Sequence, residues 1–328
     1  MKTIKFILIG LFLTGCIAQR PTQRIEFNAK ELYPEGVAYD SANNVFYVTS
    51  ERLGTVGRVR TDGRYESLYT GEDLKSTYGI KLHPDGKRIF VCVSDANYSK
   101  YTTPATKNKM MRLVSFDVAT GRKLQDIDLS QLIPGEHFAN DLVFDPGGNA
   151  YVTDSYADVI YKVNAAGTPS VFSKSELFKT EGISVNGLVY HPDGYLLVIV
   201  SGKGAVYKVD INHPANVSKV NINQFFMGGD GMLLNDNNTL TLVVNGGTDK
   251  IYQLKTEDNW LSARLSATTL LADRFTYPTT ATRAGTDIWI VNAKSNELND
   301  STAFPSKIFA IQKAVLKPLP KKAVEKPE

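Results

Sequence analysis

The sequence predicts an all-β fold, a six-bladed β-propeller, from three observations. A short phrase returns six times along the 328 residues, as YPEGVAYD, TYGIKLHPDG, ANDLVFDPGG, VNGLVYHPDG, GDGMLLNDNN and PTTATRAG. Equivalent positions in successive copies lie 43, 62, 46, 44 and 49 residues apart, a spacing typical of repeated blades. Short apolar segments separated by turn residues predict about four strands in each copy.

The third copy displays the strand pattern most clearly. Its segments DLVFDP, NAYVTDS, VIYKVNA and PSVFS are separated by glycine-containing turns. Val159, Tyr161 and Val163 alternate with polar residues, as in a half-buried strand. The phrase His-Pro-Asp-Gly recurs at His83 and His191 as a hairpin turn, because Pro presets φ and Gly accepts a positive φ.

The sixth copy supplies only three strands, TATRAG, DIWIVNA and KIFAIQK. Residues 24–29 (RIEFNA) form an additional strand that precedes the first copy. We expect this N-terminal strand to join the C-terminal blade as its outer strand and so close the ring, because closure removes an exposed sheet edge. The predicted propeller therefore spans residues 24–316.

The N-terminal segment has the features of a bacterial lipoprotein leader. Two lysines precede an apolar run at residues 6–13, and the following Leu-Thr-Gly-Cys resembles a lipobox that ends at Cys16. We therefore expect a signal peptide at 1–15, lipidation of Cys16 and a tether at 16–23. The protein would then be anchored by lipid to a membrane of the cell envelope, and we expect it to face the periplasm. The alternative is an ordinary signal peptide cleaved after Ala18.

The composition of the chain limits the classes of partner that it could bind. The formal charge of +3 falls to +1 without the two leader lysines, and the absence of a basic cluster argues against nucleic acid. Only Cys92 remains after Cys16, so an intrachain disulfide is not expected. Residues 317–328 (KPLPKKAVEKPE) offer little to bury and are predicted to be a disordered tail. We expect a monomer.

One position of the repeat, here called the register position, carries polar side chains in most copies. The six register residues are Glu35, Tyr78, Asn140, Asn186, Asp230 and Thr279. The ends of the second strands add a second polar set, Glu51, Asp95, Asp154, Asn245 and Asn292. Because adjacent strands are antiparallel, both sets are expected at one mouth of the propeller axis.

Carboxylates that converge without cationic partners repel each other, which predicts a bound cation. Carboxylate and amide oxygens favour a hard divalent ion, with Ca²⁺ preferred and Mg²⁺, Mn²⁺ or Zn²⁺ possible. The expected ligands are Glu35, Asn186 and Asp230, with Asn140 binding or supporting them. The alternative is that these Asn and Asp residues only cap turns.

At these residues the chain resembles the regucalcin/gluconolactonase family of six-bladed propellers. The phrases that carry the resemblance are Pro34-Glu35-Gly36, Phe138-Ala139-Asn140-Asp141, Asn186-Gly187-Leu188 and Asp230-Gly231-Met232. The resemblance implies one divalent metal held by a Glu, an Asn and an Asp, with a further Asn nearby. The family's lactonases often carry an Arg at the place of Phe138, so the chain departs from the pattern there.

The function implied is metal-dependent hydrolysis of a small lactone or ester, with Asp230 as the base that activates water. We expect substrate contacts from a set of rim residues, namely Tyr78, His137, Asp154, Asn245 and Thr279. Two long segments, 95–109 and 293–306, are expected on the same face, where they could cover a substrate.

Three other functions are compatible with the sequence. A non-catalytic propeller could use the same mouth to bind a ligand or protein. A paraoxonase-like esterase would need a histidine near the metal, for which only His137 is placed. A serine hydrolase is disfavoured because the sequence has no G-x-S-x-G phrase.

Overall fold

The computed structural model describes residues 23–96, 98–303 and 305–319, and the predicted all-β, six-bladed propeller is confirmed. The strands in chain order are β1 (Arg24–Asn28), β2 (Val37–Asp40), β3 (Val45–Val48), β4 (Thr55–Arg60), β5 (Tyr65–Thr70), β6 (Ser76–Leu82), β7 (Arg88–Ser94), β8 (Met111–Asp117), β9 (Lys123–Asp128), β10 (Ala139–Phe144), β11 (Ala150–Asp154), β12 (Val159–Val163), β13 (Pro169–Lys174), β14 (Val185–His191), β15 (Tyr195–Val200), β16 (Ala205–Asp210), β17 (Val217–Lys219), β18 (Gly229–Asp236), β19 (Thr239–Val244), β20 (Lys250–Lys255), β21 (Arg264–Thr268), β22 (Pro278–Ala284), β23 (Asp287–Asn292), β24 (Ile308–Lys313) and β25 (Lys317–Pro318).

Each blade is an antiparallel sheet. Blades one to four contain four consecutive strands each, beginning at β2, β6, β10 and β14, and the fifth contains β18–β21 with β25 added at its edge. The innermost strands contact one another in the closed order β2, β6, β10, β14, β18, β22 and back to β2. These six strands surround the axis, so the residues that begin them face a common centre.

The sixth blade combines both ends of the chain. Its strand order is β22, β23, β24 and β1, and β1 pairs antiparallel with β24 from Arg24 opposite Gln312 to Asn28 opposite Ile308. Ile25 and Phe27 point into the core while their neighbours are exposed. β1 is thus a half-buried strand, and the strand order places it at the outer edge of the blade.

The core consists of six apolar clusters, one between each pair of neighbouring blades. Phe27, Phe46 and Trp289 join blades six and one, for example, and Trp260 fills the cluster between blades four and five. Burying one such large side chain stabilises the fold by about 1.5–3 kcal/mol. The packing of every blade against two others holds the mouths of the axis rigidly.

The C-terminal prediction needs a correction. Lys317 and Pro318, assigned above to a disordered tail, form β25 and pair with Thr268 and Ala267 of β21. The amide of Leu319 also donates to the carbonyl of Ser266 at 3.0 Å. An edge strand tolerates Pro because its missing N–H can face solvent. Residues 320–328 lie outside the described part of the chain.

Within the residues that the structure describes, helical structure is limited to five short 3₁₀ segments. They span Glu72–Leu74, Ser130–Leu132, Ser201–Lys203, Leu271–Asp273 and Ser295–Asn299. Across 23–96, 98–303 and 305–319, no helix has the length and apolarity that crossing a membrane would require. The signal peptide, Cys16 and nearly all of the tether fall in residues 1–22, outside the described residues, so lipid anchoring stays a prediction.

Candidate active site

A cavity of about 290 Å³ opens at one mouth of the axis, and all six register residues line it. Glu35, Asn140, Asn186 and Asp230 are each buried, with less than a tenth of their surface exposed. Glu51 and Asn245, from the ends of second strands, line the same cavity. The repeat therefore brings side chains from all six blades to one place, as its periodicity predicted.

A backbone irregularity aims the register residues at the axis. In blades two to six the pairing of the first two strands skips the register residue and its successor; the skips fall between Thr77 and Ile80, Ala139 and Leu142, Val185 and Leu188, Gly229 and Met232, and Pro278 and Ala281. Such bulges bend a strand and redirect a side chain, and they are frequent beside active sites.

Four of the six register residues are followed by a glycine, which permits close packing of neighbouring inner strands. A Cβ at Gly187 would lie 2.3 Å from the backbone oxygen of Asp230, and one at Gly231 would lie 2.5 Å from the backbone oxygen of Thr279. A Cβ at Gly36 would similarly meet the backbone oxygen of Tyr78 at 2.4 Å. The glycines of the repeat thus allow neighbouring inner strands to approach closely around the axis, which keeps the register residues close together.

Replacing Gly187 by Ala should destabilise the protein by about 1–3 kcal/mol, because the new methyl group meets backbone that cannot rotate away. It should also weaken binding of a divalent ion, since Asp230 must shift. Chemical denaturation and ion titration measure the two effects. The matched control is Gly147→Ala, where the nearest atom is a side-chain oxygen of Asp145 at 3.2 Å. Equal stability of both variants would contradict the packing argument.

The cavity is strongly acidic. Burial raises the pKa of Glu35 well above its usual range, and the charges of Asp230, Asp141 and Glu51 raise it further against the opposing effect of Lys81. Burial also raises the pKa of Asp230, although a hydrogen bond from Asn245 opposes this, and it raises the pKa of Glu51 to about 7. A divalent cation would relieve this repulsion.

Several oxygen atoms of the site lack a protein partner. Within the described residues, the buried Glu35 Oε2 and Asn186 Oδ1 accept no hydrogen bond. Leaving a buried polar atom unpaired costs about 1–3 kcal/mol, so such atoms usually have an unseen partner. The buried Tyr78 hydroxyl also lacks a partner, so three of these atoms, on separate blades, belong to residues that line one cavity.

The neighbouring amides present their oxygens to the same space. Asn140 Nδ2 donates to Ser155 Oγ at 3.0 Å, and Asn245 Nδ2 donates to Asp230 Oδ2 at 2.6 Å. The Asn186 side chain also donates to the Asp230 carboxylate. With their nitrogen atoms occupied, Asn140 and Asn186 keep their carbonyl oxygens for a ligand.

These residues fit a hard cation. Glu35 and Asp230 supply carboxylate oxygens, and Asn186 and Asn140 supply amide oxygens, the donor set that Ca²⁺ and Mg²⁺ prefer. In the described part of the chain, no three His, Cys, Asp or Glu side chains cluster in the manner of a metal centre. A softer ion such as Zn²⁺ would find no imidazole or thiolate in this cavity.

Two predicted substrate contacts are not in the cavity. The described lining does not include His137 or Asp154. Asp154 instead accepts hydrogen bonds from His137 Nδ1 at 2.7 Å and from the backbone N–H of Phe138 at 2.9 Å. Burial opposes the charged form of His137, but the bond to Asp154 raises its pKa. This buried pair ties the chain that precedes β10 to β11, which is a structural role.

Two other strand-end residues are also structural. Asp95 accepts hydrogen bonds from Thr102 Oγ1 at 2.6 Å and Thr106 Oγ1 at 2.7 Å, which shapes the long segment 95–109. Asn292 Oδ1 accepts the backbone N–H of Thr276 at 2.7 Å. Thr102 and Thr106 lie in the segment that follows Asp95, and Thr276 lies just before β22. Both side chains are held by these donors, and neither Asp95 nor Asn292 is among the described residues that line the cavity.

The cavity contains aromatic residues that the register analysis missed. Tyr98, Tyr156 and Tyr277 line it, as does Phe138, and Ser295 contributes from the long segment of blade six. None of the three tyrosines occupies a register position or ends a second strand. Tyr98 belongs to the segment 95–109, which the 62-residue interval predicts on this face as a segment that could cover a substrate.

The opposite mouth of the axis holds a larger cavity, of about 350 Å³. Its lining is mainly apolar, with residues such as Val37, Leu82, Leu188 and Met232 from successive blades. Its one lysine, Lys81, is paired with Asp141 Oδ1 at 3.2 Å. The mouth that contains candidate functional groups is therefore the one with the smaller cavity, where the carboxylates and amides converge.

Comparisons with known proteins support the fold. No protein-family model matches the chain. The major allergen Mal f 1 of Malassezia furfur is 23% identical over 292 residues, which is 80% of this chain and 81% of that protein. The crystal structure of Mala s 1, the major allergen of Malassezia sympodialis, superposes with a TM-score of 0.71 at 18% identity, covering 90% of this chain and 96% of that one.

Solved structures of enzymes share the same architecture. A candidate gluconolactonase superposes with a TM-score of 0.56 at 14% identity, covering 92% of this chain and 96% of that one. A luciferin-regenerating enzyme superposes with a TM-score of 0.59 at 15% identity, over 90% and 97% of the two chains. Virginiamycin B lyase of Staphylococcus aureus superposes with a TM-score of 0.59 at 13% identity, covering 92% of this chain and 89% of that one. At these identities the similarities show the fold alone.

Proposed function

We propose that this protein is a metal-dependent hydrolase of a lactone or ester, acting in the cavity that the register residues line. The observation that carries the proposal is the set of unpartnered oxygens, Glu35 Oε2 and Asn186 Oδ1, beside Asp230 in an acidic cavity. Turn capping does not account for these atoms, because a capping oxygen accepts a hydrogen bond. The shared fold with a candidate gluconolactonase is consistent with the proposal.

Glu35, Asn186 and Asp230 would hold the cation, with Asn140 as a fourth oxygen donor. Ca²⁺ is the first choice because all four donors are oxygens. When bound, such an ion supplies Lewis-acid polarisation of an ester carbonyl. No cationic side chain among the described lining residues could take over that task.

Asp230 would act as the general base. The 2.6 Å hydrogen bond from Asn245 to Oδ2 fixes the orientation of its carboxylate, and Oδ1 would take a proton from the attacking water. Thr279 holds the neighbouring blades together by donating to the backbone oxygen of Glu35 at 2.6 Å, so its role would be to position that ligand.

A panel of lactones and aryl esters tests the proposal on the purified full-length protein in mild detergent. Activity should fall by about 10²-fold or more after treatment with a chelator, because the barrier-lowering charge is removed. Restoring Ca²⁺, Mg²⁺, Mn²⁺ or Zn²⁺ one at a time should recover it with one or two of these ions. Hydrolysis that is indifferent to chelation would reject the metal. Ion-dependent binding of lactones without turnover would favour a binding propeller.

A further inference from the structure

We infer that the substrate of this site carries an uncharged, apolar substituent, an alkyl chain or a single aromatic ring, and that an aromatic wall of the cavity selects it. The inference rests on the proposed hydrolytic function and concerns the part of the substrate that does not react. The wall is defined as Tyr78, Phe138, Tyr156 and Ile183, all of which line the cavity. It stands on the side of blades two and three.

The wall is continuous and rigid. The rings of Tyr78 and Phe138 meet edge to face with centroids 4.6 Å apart, and Phe138 meets Tyr156 at 5.4 Å. Tyr78 and Phe138 are buried members of the cluster between blades two and three, while Tyr156 and Ile183 pack against that cluster and are half-buried. Partly exposed apolar groups on a fixed base offer a surface for an apolar ligand.

The cavity is poorly suited to a charged or polyhydroxylated substrate. The described residues that line it include no lysine, arginine or histidine, and three carboxylates, Glu35, Glu51 and Asp230, face it. A substrate carboxylate would therefore meet negative charge without a cationic side chain. Phe138 occupies the place at which the resemblance would have placed an Arg.

Three polar side chains at the mouth are already engaged. Asn245 donates to Asp230, Thr279 donates to the backbone oxygen of Glu35, and Ser295 donates to Glu51. The buried Tyr78 hydroxyl has no hydrogen-bond partner and could pair with one substrate hydroxyl, but a substrate with many hydroxyl groups would need more, and each buried hydroxyl left unpaired would disfavour binding. An apolar substituent carries no such penalty.

The size of the cavity limits the substrate further. A volume of about 290 Å³ lies at the lower end of the range for small-molecule sites. The apolar wall forms one part of the cavity lining, and the candidate ion ligands form another. This arrangement suits a compact lactone whose ring carbonyl lies beside the candidate ion ligands while its substituent lies on Phe138 and Tyr156.

Three six-membered lactones separate substituent from ring chemistry: δ-valerolactone, δ-decalactone and D-glucono-δ-lactone. With the ion-loaded full-length protein, the kcat/KM for δ-decalactone should exceed that for δ-valerolactone by about 10–100-fold, because several methylene groups are buried against the wall. The hydroxylated lactone should be no better than δ-valerolactone. A higher kcat/KM for D-glucono-δ-lactone than for δ-decalactone would overturn the inference.

Alanine substitutions test whether the wall residues determine the selectivity between the two lactones. Tyr156→Ala and Ile183→Ala, at half-buried positions, should each lower the ratio of kcat/KM for δ-decalactone to that for δ-valerolactone by about 5–10-fold, mainly through KM. The control is Tyr190→Ala, a half-buried tyrosine in the opposite cavity, which should keep the parental ratio. An unchanged ratio in both wall variants would overturn the inference.

Calorimetric binding separates this inference from the proposed function. If no lactone is hydrolysed, titration with δ-decalactone in the presence of Ca²⁺ still tests the wall. Binding of δ-decalactone that is at least about 10-fold tighter than that of D-glucono-δ-lactone, and that is weakened by Tyr156→Ala, would support the wall while rejecting the hydrolase. Equal or weaker binding of δ-decalactone, or none, would overturn the wall itself.

Discussion

Replacing Asp230 by Asn should lower the kcat/KM for lactone hydrolysis by about 10³-fold or more, a larger effect than the 10–100-fold typical of residues that only support metal ligands. The change keeps the shape of the side chain and removes the charge that would bind the ion and accept the proton. The same variant should bind Ca²⁺ more weakly in a calorimetric titration.

The metal-free D230N protein should be at least as stable as the parent near neutral pH. Burial raises the pKa of Asp230, and the charges of Asp141 and Glu51 add to this effect. An ionised carboxylate there therefore opposes folding, and a neutral amide does not. Lost activity together with an unreduced melting temperature would separate a functional role from a structural one.

The control for this experiment is Asp236→Asn, in the same blade. Asp236 is exposed in a hairpin turn, where it accepts hydrogen bonds from the backbone N–H of Asn238 and from Thr239. Its replacement should leave kcat/KM and ion affinity at the parental level. Parental activity in D230N would rule out Asp230 as the base and weaken the assignment of the whole ligand set.

The behaviour of Asp230 illustrates a conflict built into the axis. The charges of Asp230, Asp141 and Glu51 raise the pKa of Glu35, those of Asp141 and Glu51 raise the pKa of Asp230, and Lys81 is the cation that opposes the shift of Glu35. A propeller that needed only stability could fill its axis with apolar side chains, as the opposite mouth does. Local conflicts of this kind are expected where function is located.

The periodic part of the site was predictable from the sequence, and the aperiodic part was not. Glu35, Asn186 and Asp230 come together because the repeat assigns each to the register position of its own blade. His137 and Asp154 follow no such rule: strand position placed them at the mouth, but local N–H donors turned Asp154 inward. A side chain at a strand end follows its nearest partners, which a spacing pattern does not record.

Three tyrosines of the cavity, Tyr98, Tyr156 and Tyr277, and the last strand were missed for a related reason. Tyr98 reaches the cavity from the long segment 95–109, whose path depends on tertiary contacts. Lys317 and Pro318 belong to a segment with little to bury, yet the edge of β21 offers them backbone hydrogen bonds. Composition predicts whether a segment can form a core, but it does not reveal a free sheet edge nearby.

The stability of the metal-free protein should depend on Glu51 with a definite sign. Burial raises the pKa of this carboxyl from 4.5 to about 7, against an opposing hydrogen bond from Ser295. The folded state therefore binds the proton more tightly than the unfolded state. The stability from protonated Glu51 is full below pH 4.5 and is lost as the pH rises to about 7, by about 3 kcal/mol in total.

Comparison with Glu51→Gln reports this contribution together with the repulsion between ionised Glu51 and the carboxylates of Glu35 and Asp230, which has the same sign. The free energy of unfolding of the parent minus that of E51Q, measured in chelator by urea denaturation, should fall by about 3 kcal/mol between about pH 4.5 and about pH 8. The control Glu72→Gln, at an exposed position of the first 3₁₀ segment, should give a difference that does not change with pH.

Adding Ca²⁺ should reduce the fall in stability, because the ion compensates the ionised carboxylates in the folded state only. The effect should be strongest above about pH 7, where Glu51 is ionised in both states and the repulsion at the axis is greatest. A parent-minus-E51Q difference that rises with pH would mean that Glu51 is stabilised as an anion by the protein itself. The acidic mouth would then need no cation, and the electrostatic argument for the metal would fail with it.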